Sequence, residues 1–294
     1  MKTSFSILLI FLFTYFFAQE DQKIAAMVRK SIADEITSFH IAPTPVAKTE
    51  DKVVMDGSDS IKIRLYYPEI TNKKLPLIFQ IHGGALVGGD LNTHDNISRY
   101  LSAKTKSIVV AIDYKRPPEY PYPTGLNECD AVLSWILKTA SQWNGDAKHL
   151  TLLGDSGGAL LATSLLVKEQ GKKKISNVVL VNPPVDLRDI KDFYYNIVAK
   201  MYLKGKSPDD PIISPILAKD ISFSPSTLVI TCEKDMLKPQ GIAWYEKLKK
   251  ANVEAKLVDV PNEDHLGGLW SAAHPKAQVA MDAVVDFIKS ESKK

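Results

Sequence analysis

The sequence predicts an α/β fold in which a mostly parallel β-sheet of eight strands is covered on both faces by helices. Continuous apolar runs of strand length recur along the chain, helical segments lie between them, and an alternating hairpin precedes them. The 294 residues, 45% of them hydrophobic, are enough for one large domain with a sizeable core. We therefore expect a single domain over residues 20–294.

The amino terminus has the pattern of a signal peptide. Met1 and Lys2 precede an almost unbroken apolar segment from Phe5 to Ala18, which is short for a membrane span. Cleavage after Ala18 would leave bulky Phe16 where a small side chain is preferred, so an uncleaved anchor stays an alternative. We expect residues 1–19 to direct a secreted or periplasmic protein, with membrane association only if the segment is retained.

The elements before the first central strand are a helix and a hairpin. Apolar residues at helical spacing predict a helix over Asp21–His40. Alternating polarity predicts strands over Lys52–Met55 and Ile61–Tyr67, with their turn at residues 56–59. Leu75–Ile81 reads as a buried strand that runs directly into His82-Gly83-Gly84-Ala85.

The rest of the chain alternates strands with helices. Further strands are predicted at Ser107–Ile112, in the run that starts at Leu150, and at Asn177–Val181, Thr227–Thr231 and Ala255–Val258. Helices are predicted at Asn96–Ala103, around Ala131–Ile136, after Gly158, and at Gly241–Lys250 and Ala277–Ile288. This alternation is typical of parallel strands joined by crossover helices.

An insertion interrupts this rhythm between Val181 and Thr227. It includes a predicted helix over Ile190–Leu203 that carries several aromatic residues. With the amino-terminal helix it could form a small cap, from about 20–45 and 185–212, over the carboxyl ends of the strands, where open α/β sheets bind ligands. An ordinary packing helix is the alternative.

The stretch from Leu150 to Leu161 has the pattern of a strand, a sharp turn and a helix. Ser156 lies at the turn, with Gly154 and Gly158 two residues to either side. A serine there takes a strained conformation that exposes its hydroxyl, and the glycines leave room for the turn. Asp155, directly before the serine, is expected to be structural.

A nucleophilic serine needs a base and an acid from other loops. His265 lies after the last predicted strand, and Asp235 follows the strand Thr227–Thr231. The chain order of nucleophile, acid and base is that of serine hydrolases with a strand-turn-helix nucleophile. Glu233 is the serious rival for the acid, since Asp259 lies inside a strand and Asp264 is adjacent to the histidine.

Backbone amides near the serine are candidates for an oxyanion hole. Gly83 and Gly84 follow a strand and have no Cβ to obstruct their amides, and Gly157 opens the helix after Ser156. The sequence thus predicts three donors for a tetrahedral intermediate.

Composition excludes several other classes. The net charge of +3 is spread over alternating acidic and basic residues, so nothing points to nucleic acid. Cys129 and Cys232 cannot form a disulfide framework and are expected to be buried thiols. No metal-ligand spacing is present, and we expect no metal and no cofactor.

These motifs together resemble the hormone-sensitive-lipase family of α/β-hydrolase carboxylesterases. The matches are His82-Gly83-Gly84-Ala85 for the family's His-Gly-Gly-Gly loop, Asp113–Glu119 for its Asp-Tyr-Arg-Leu-Ala-Pro-Glu box, and Gly154–Gly158 for its Gly-Asp-Ser-Ala-Gly elbow. Thr93–Asp95 and Asp235–Leu237 also fit. Ala85, Gly157 and Leu266 depart from the family pattern, and Ala85 puts the acyl-chain preference in question.

The resemblance implies a serine esterase for small-molecule esters of short to medium acyl chain, acting through an acyl-enzyme, and the predicted signal peptide implies that it is secreted. Deacetylation of sugars such as xylan, or hydrolysis of an aryl formamide, are alternatives on the same site. A non-catalytic receptor or adhesion module is a further alternative, because fold does not fix function. The sequence leaves open whether the protein is a monomer or a dimer.

Overall fold

A computed structural model describes residues 2–188, 190, 192–265 and 278–292, with side chains from residue 19 onward. The sheet consists of β1 (Lys48–Asp56), β2 (Asp59–Tyr67), β3 (Leu75–Ile81), β4 (Ile108–Asp113), β5 (Gly145–Asp155), β6 (Asn177–Val181), β7 (Ser226–Cys232) and β8 (Ala255–Val260). The α-helices in this part of the chain are α1 (Lys2–Ser38), α2 (Asp95–Thr105), α3 (Thr124–Thr139), α4 (Gly157–Glu169), α5 (Phe193–Leu203), α6 (Lys238–Lys250) and α7 (Gln278–Glu291).

The eight strands form one sheet in the order β1-β2-β4-β3-β5-β6-β7-β8. The pairs β1/β2 and β2/β4 are antiparallel, and every other pair is parallel. Asp56 pairs with Asp59 across the predicted hairpin turn. The predicted α/β-hydrolase fold, a mostly parallel sheet of eight strands led by a hairpin, is confirmed.

Two apolar layers cover the two faces of the sheet. The larger layer joins alternate strand residues, among them Leu77 and Phe79, to α3, α4 and α6. The smaller layer joins Ile78 and its counterparts on other strands to α2 and α7. Side chains of consecutive strand residues point to opposite faces, so a continuous apolar run is what a strand with helices on both sides requires.

A third apolar cluster lies at the carboxyl ends of the strands. Val28 of α1 and Val198 and Met201 of α5 pack around Val87, which belongs to the loop after β3. The two segments that the sequence assigns to a cap therefore contact each other through this loop.

Several boundaries differ from the sequence-based prediction. β1 begins at Lys48 rather than Lys52, because its polar first residues pair with β2 as far as Tyr67. The helix predicted from Ile190 begins at Phe193, because the side chain of Asp192 accepts the Tyr195 N–H and caps the helix there.

α1 begins at Lys2 and ends at Ser38, so the helix predicted over Asp21–His40 continues into the predicted signal peptide. Most of that peptide lies outside the residues whose side chains are described. Where side chains are described, no helix is long and apolar enough to cross a membrane. The predicted start of the last helix, Ala277, also lies outside the described residues.

Candidate active site

Ser156 occupies a strained turn between β5 and α4. Its φ of 48° and ψ of −121° lie in a region that side-chain-bearing residues seldom adopt. A Cβ on Gly154 would lie 2.5 Å from the carbonyl oxygen of Gly158, and a Cβ on Gly158 would collide with the carbonyl of Ile81. The glycines on either side of the serine therefore leave the space that the turn needs, as the sequence predicts.

The structure brings Ser156, His265 and Asp235 into one hydrogen-bonded series. His265 Nε2 lies 2.8 Å from Ser156 Oγ, and His265 Nδ1 lies 2.9 Å from Asp235 Oδ2. The side chain of Asp235 is fully buried, and its second oxygen accepts the Leu237 N–H at 2.9 Å. Because a buried carboxylate accepts only, it fixes the tautomer that carries the proton on Nδ1 and leaves Nε2 to accept from the serine.

The rival acids make other bonds. Glu233 Oε2 accepts the backbone N–H of Asn262 at 2.6 Å. Asp259 accepts from Thr231 Oγ1 at 2.8 Å and from Lys238 Nζ at 2.6 Å. Geometry thus distinguishes Asp235 from Glu233, which sequence reasoning left as an alternative.

The glycine loop after β3 lies directly against the start of α4. A Cβ on Gly157 would lie 2.8 Å from the amide nitrogen of Leu86, and a Cβ on Gly83 would collide with the Asp155 carboxylate. Gly84 has a φ of 128°, and its carbonyl accepts the Gly88 N–H at 2.7 Å. The loop thus lies against Gly157 through Leu86 and against Asp155 through Gly83, and the role of Gly83, Gly84 and Gly157 as oxyanion donors stays a prediction.

Ala85 replaces the family's third loop glycine and has a φ of 52°. This left-handed conformation is easier for glycine than for alanine. Ala85 thus adopts a backbone conformation that suits the family's glycine, at some cost in strain. The Ala85 methyl lies in the wall of the cavity above Ser156.

A cavity of about 410 Å³ lies above the serine. Both proposed cap segments contribute to its wall, through α1 and through the start of α5. The lining residues outside the catalytic series are Ser31, Ile32, Glu35, Ile36, Gly84, Ala85, His94, Asp155, Val181, Asn182, Tyr194, Tyr195 and Asp264.

The aromatic residues of α5 serve both as cap and as packing, the two alternatives that the sequence left open for this helix. Tyr194 and Tyr195 line the cavity, whereas Tyr202 is buried in the main core. The Tyr195 ring packs edge-on at 6.2 Å from the His265 ring. Burial and the negative charge of Asp235 raise the pKa of Tyr195 to about 12. Its hydroxyl is therefore uncharged in the pH range in which a histidine acts as a base.

Arg29 attaches α1 to the rest of the site, and sequence reasoning missed it. Its guanidinium forms a two-bond fork on Glu119 at 2.9 and 2.7 Å. It also donates to the carbonyls of Val87 at 2.8 Å and Pro117 at 3.0 Å. The partners belong to the loops after β3 and β4, so this side chain, together with the apolar packing of Val28, holds α1 over the cavity. A basic residue next to Lys30 on an amphipathic helix gave no signal of this role.

The polar residues beneath the loop are structural, as predicted for Asp155. Asp155 Oδ2 lies 3.2 Å from His94 Nε2. His82 is buried and stacks on Tyr114 at 4.3 Å between ring centroids. Burial, with electrostatic interactions from His94 and Arg116, lowers the pKa of His82 well below its ordinary value, so this ring is a neutral packing element.

Cys129 and Cys232 are free and buried, as predicted. Burial raises the pKa of both thiols, that of Cys232 to about 12, so neither supplies a thiolate nucleophile. Among the residues described, no group of three or more histidine, cysteine or acidic side chains is placed to hold a metal ion.

Comparison with known proteins agrees with this geometry. The sequence model of a family described as having the alpha/beta hydrolase fold matches residues 78–267. An arylesterase of Saccharolobus solfataricus is 30% identical over 81% of this chain and 80% of its own. The carboxylesterase NlhH of Mycobacterium tuberculosis is 28% identical over 75% of this chain and 76% of its own.

A solved structure is similar over nearly the whole chain. The thermophilic carboxylesterase EstE1, cloned from a metagenomic library, superposes with a TM-score of 0.83 at 27% identity. The match covers 92% of this chain and 97% of that one.

Proposed function

Since the chain belongs to the α/β-hydrolase family, in its hormone-sensitive-lipase-like branch of serine ester hydrolases, we propose that it is a secreted carboxylesterase acting through an acyl-enzyme at Ser156. The observation that carries the proposal is the hydrogen-bonded series of Ser156, His265 and Asp235 on the floor of an apolar cavity. A receptor or adhesion module has no use for a buried carboxylate, an imidazole and a strained serine in this order.

In the proposed reaction Ser156 Oγ attacks the ester carbonyl while His265 Nε2 takes its proton. Asp235 holds the imidazole in orientation and stabilises the imidazolium that forms. The same imidazolium then protonates the leaving alcohol, and the ester C–O bond breaks to leave the acyl group on Ser156. Water repeats the sequence as nucleophile, with His265 again as base, and the acid is released.

The negative charge of each tetrahedral intermediate falls on the former carbonyl oxygen. In our proposal the amides of Gly83, Gly84 and Gly157 bind this oxygen. Gly157 is also the first residue of α4, where the helix dipole favours negative charge. Removing one such donor typically costs about 10²- to 10³-fold in kcat.

The proposed substrates are esters of short to medium acyl chain. The cavity is at the small end of ligand sites, which run from about 300 to 1,000 Å³. Ile32, Ile36 and Val181 give it an apolar wall that suits an acyl chain better than a charged group. The arylesterase and carboxylesterase relatives support this substrate class.

The test is hydrolysis of p-nitrophenyl butyrate by the wild type and by Ser156→Ala. We expect the variant to lose about 10⁴- to 10⁶-fold in kcat, because no other group forms the acyl-enzyme. Ser31→Ala removes a second serine hydroxyl from the same cavity and serves as the matched control, with kcat within a few-fold of wild type. Near-normal turnover by Ser156→Ala would refute the proposal, as would failure of a fluorophosphonate to label the wild type.

The proposed export rests on the apolar segment Phe5–Ala18 behind Lys2. Cleavage after Ala18 leaves the second half of α1, with Arg29 and all of the cavity-lining residues of that helix. Intact-mass measurement on protein exported by a bacterial host tests this. A mass that begins at Gln19 supports cleavage, and a full-length mass in the membrane fraction supports a retained anchor instead.

A further inference from the structure

The hydrogen bonds of the His265 ring orient the imidazole, but the position of the ring also depends on the main chain that carries it. That main chain is held on one side by the loop after β7. The Lys234 N–H donates to the Glu263 carbonyl at 2.9 Å, and Glu233 Oε2 accepts from Asn262. These bonds fix the residues that precede His265 and leave the carbonyl of His265 itself to another partner.

That partner is Asn182, the residue directly after β6. Its side-chain Nδ2 donates to the carbonyl oxygen of His265 and lies 3.6 Å from Cys232 Sγ. Its backbone N–H donates to the Ile230 carbonyl at 2.9 Å, and its φ is 47°. Among residues with a side chain, asparagine is one of the few that adopt this left-handed conformation readily, and its side chain supplies an amide donor.

The neighbouring residue holds the nucleophile. The Val181 carbonyl accepts the N–H of Ser156 at 2.8 Å. Two consecutive residues at the end of one strand therefore hold the main chain of the serine and the main chain of the histidine. Both bonds lead to the same strand end, so the main chains of Ser156 and His265 are linked through β6 as well as through the contact of their side chains.

The side chain of Asn182 is a poor choice if stability alone matters. Asn182 is 2% exposed, and its buried Oδ1 has no hydrogen-bond partner among the described residues. A buried acceptor without a partner typically costs about 1–3 kcal/mol. The N–H of the same amide binds the His265 carbonyl. The side chain therefore holds His265 in place, although its own oxygen stays unsatisfied.

We infer that Asn182 is a positioning residue of the reaction, which sets the place of the His265 imidazole relative to Ser156 through the main-chain carbonyl of His265. This inference rests on the proposed function of the same site. It assigns no contact with substrate to Asn182. Its effect is on the chemical step, since a base displaced by about 1 Å loses about 10²-fold in rate.

The test is Asn182→Gly, which tolerates the left-handed backbone and removes the whole side chain with its amide. Asn144→Gly is the matched control, because Asn144 has a φ of 61° and its Nδ2 donates to the Thr71 carbonyl at 2.9 Å, at the opposite end of the sheet. Turnover of p-nitrophenyl butyrate is measured per active site, with sites counted by a fluorophosphonate. The rate of phosphonylation and the melting temperature are measured on the same samples.

For Asn182→Gly we expect kcat and the phosphonylation rate to fall about 10- to 100-fold, with KM within twofold of wild type. We expect the kcat of Asn144→Gly to stay at the wild-type value, and the melting temperatures show whether a change in stability accompanies any loss of rate. Asn182→Ala also removes the donor and adds no charge beside His265, and it gives the same kinetic result if the glycine variant does not fold.

A kcat within twofold of wild type in the Asn182 variants would overturn the inference. A fall in kcat that Asn144→Gly shares would also overturn it, because the effect would then follow from stability. Failure of the proposed function is distinguishable, since it would show as wild-type protein that is not labelled or as an active Ser156→Ala variant.

Discussion

The carboxylate that orients His265 is chosen by hydrogen bonding and not by distance along the chain. Asp235 and Glu233 are two residues apart, and both follow β7. The Asp235 side chain is fully buried against His265, whereas that of Glu233 accepts the Asn262 N–H at the loop surface. Only the first arrangement stabilises a positive charge on the imidazole.

Isosteric variants of these two acids give a residue-scale prediction. Asp235→Asn should lower kcat by about 10³- to 10⁴-fold, because the amide no longer fixes the productive tautomer or stabilises the imidazolium. Glu233→Gln is the control and should stay within a few-fold, since its amide oxygen still accepts from Asn262. Steady-state kinetics on p-nitrophenyl butyrate measures both. An equal loss in the two variants would contradict the assignment.

How far the sequence predicts the site also depends on particular residues. Ser156, His265 and Asp235 follow from motifs, because a strained turn needs flanking glycines and the partner residues lie at strand ends. Asn182 and Arg29 act through hydrogen bonds to backbone carbonyls distant along the chain. Such carbonyls carry no sequence signature, so only the folded chain identifies these two residues.

At the scale of elements, α1 is a wall of the cavity, held by the ion-paired Arg29 and by the packing of Val28 against Val87. Arg29 bonds to Glu119, Val87 and Pro117, and Ile32, one turn further, packs against Gly88, where an added Cβ would lie 2.8 Å from the Ile32 side chain. The helix therefore contacts the same loop that carries the predicted oxyanion donors. Loss of the arginine should loosen both substrate binding and this loop.

Arg29→Ala should raise KM several-fold and lower the stability by about 1 kcal/mol, because the partners are about a third exposed. Arg64→Ala removes a comparable fork, from Arg64 to Asp51 on the β1–β2 hairpin, and should leave KM unchanged. Enzyme kinetics and thermal unfolding compare the two. An unchanged KM in Arg29→Ala would show that α1 does not depend on this residue.

The same ion pair has a defined pH dependence. The hydrogen bond from Arg29 lowers the pKa of Glu119 below its ordinary value. The pair therefore stabilises the folded protein fully above the ordinary carboxyl pKa, and this stabilisation is lost as pH falls through the lowered one. We expect the difference in melting temperature between wild type and Arg29→Ala to be constant near neutrality and to shrink below about pH 4. A difference that grows on acidification would contradict this sign.

The ends of elements were harder to predict than their order. The alternation of strands and helices is a property of apolar periodicity, and all eight strands lie where the sequence places them. The extension of β1 to Lys48 and the start of α5 at Phe193 depend on pairing with β2 and on the Asp192 cap. Both are contacts between polar groups that hydrophobicity does not record.

At the scale of the whole molecule, α1 combines a predicted export segment with a wall of the cavity. A protein that begins at Gln19 should match the full-length chain in kcat/KM, because every described contact of α1 with the site is retained. A protein that begins at Ile41 lacks Arg29 and the cavity-lining residues Ser31–Ile36. We expect its kcat/KM to fall about 10- to 100-fold, with labelling of Ser156 by a small fluorophosphonate preserved.

Labelling separates loss of the cap from loss of the fold. If the protein that begins at Ile41 is neither labelled nor cooperative in thermal unfolding, α1 is required for folding. If instead it hydrolyses butyrate at the full rate, the assignment of α1 to the substrate wall is wrong.

The buried helix behind the serine has a consequence for how such an enzyme changes over evolutionary time. Every residue of α4 from Gly157 to Val167 is buried, and an added Cβ on Gly158 would collide with the backbone of β3, so most substitutions there would leave a cavity or cause a steric clash. The opposite wall, from α1 and α5, meets the serine only across the open cavity. We expect substitutions in that wall to change which esters the enzyme accepts and to leave Ser156, His265 and Asp235 in place. Related enzymes can therefore differ in substrate range while they share one reaction.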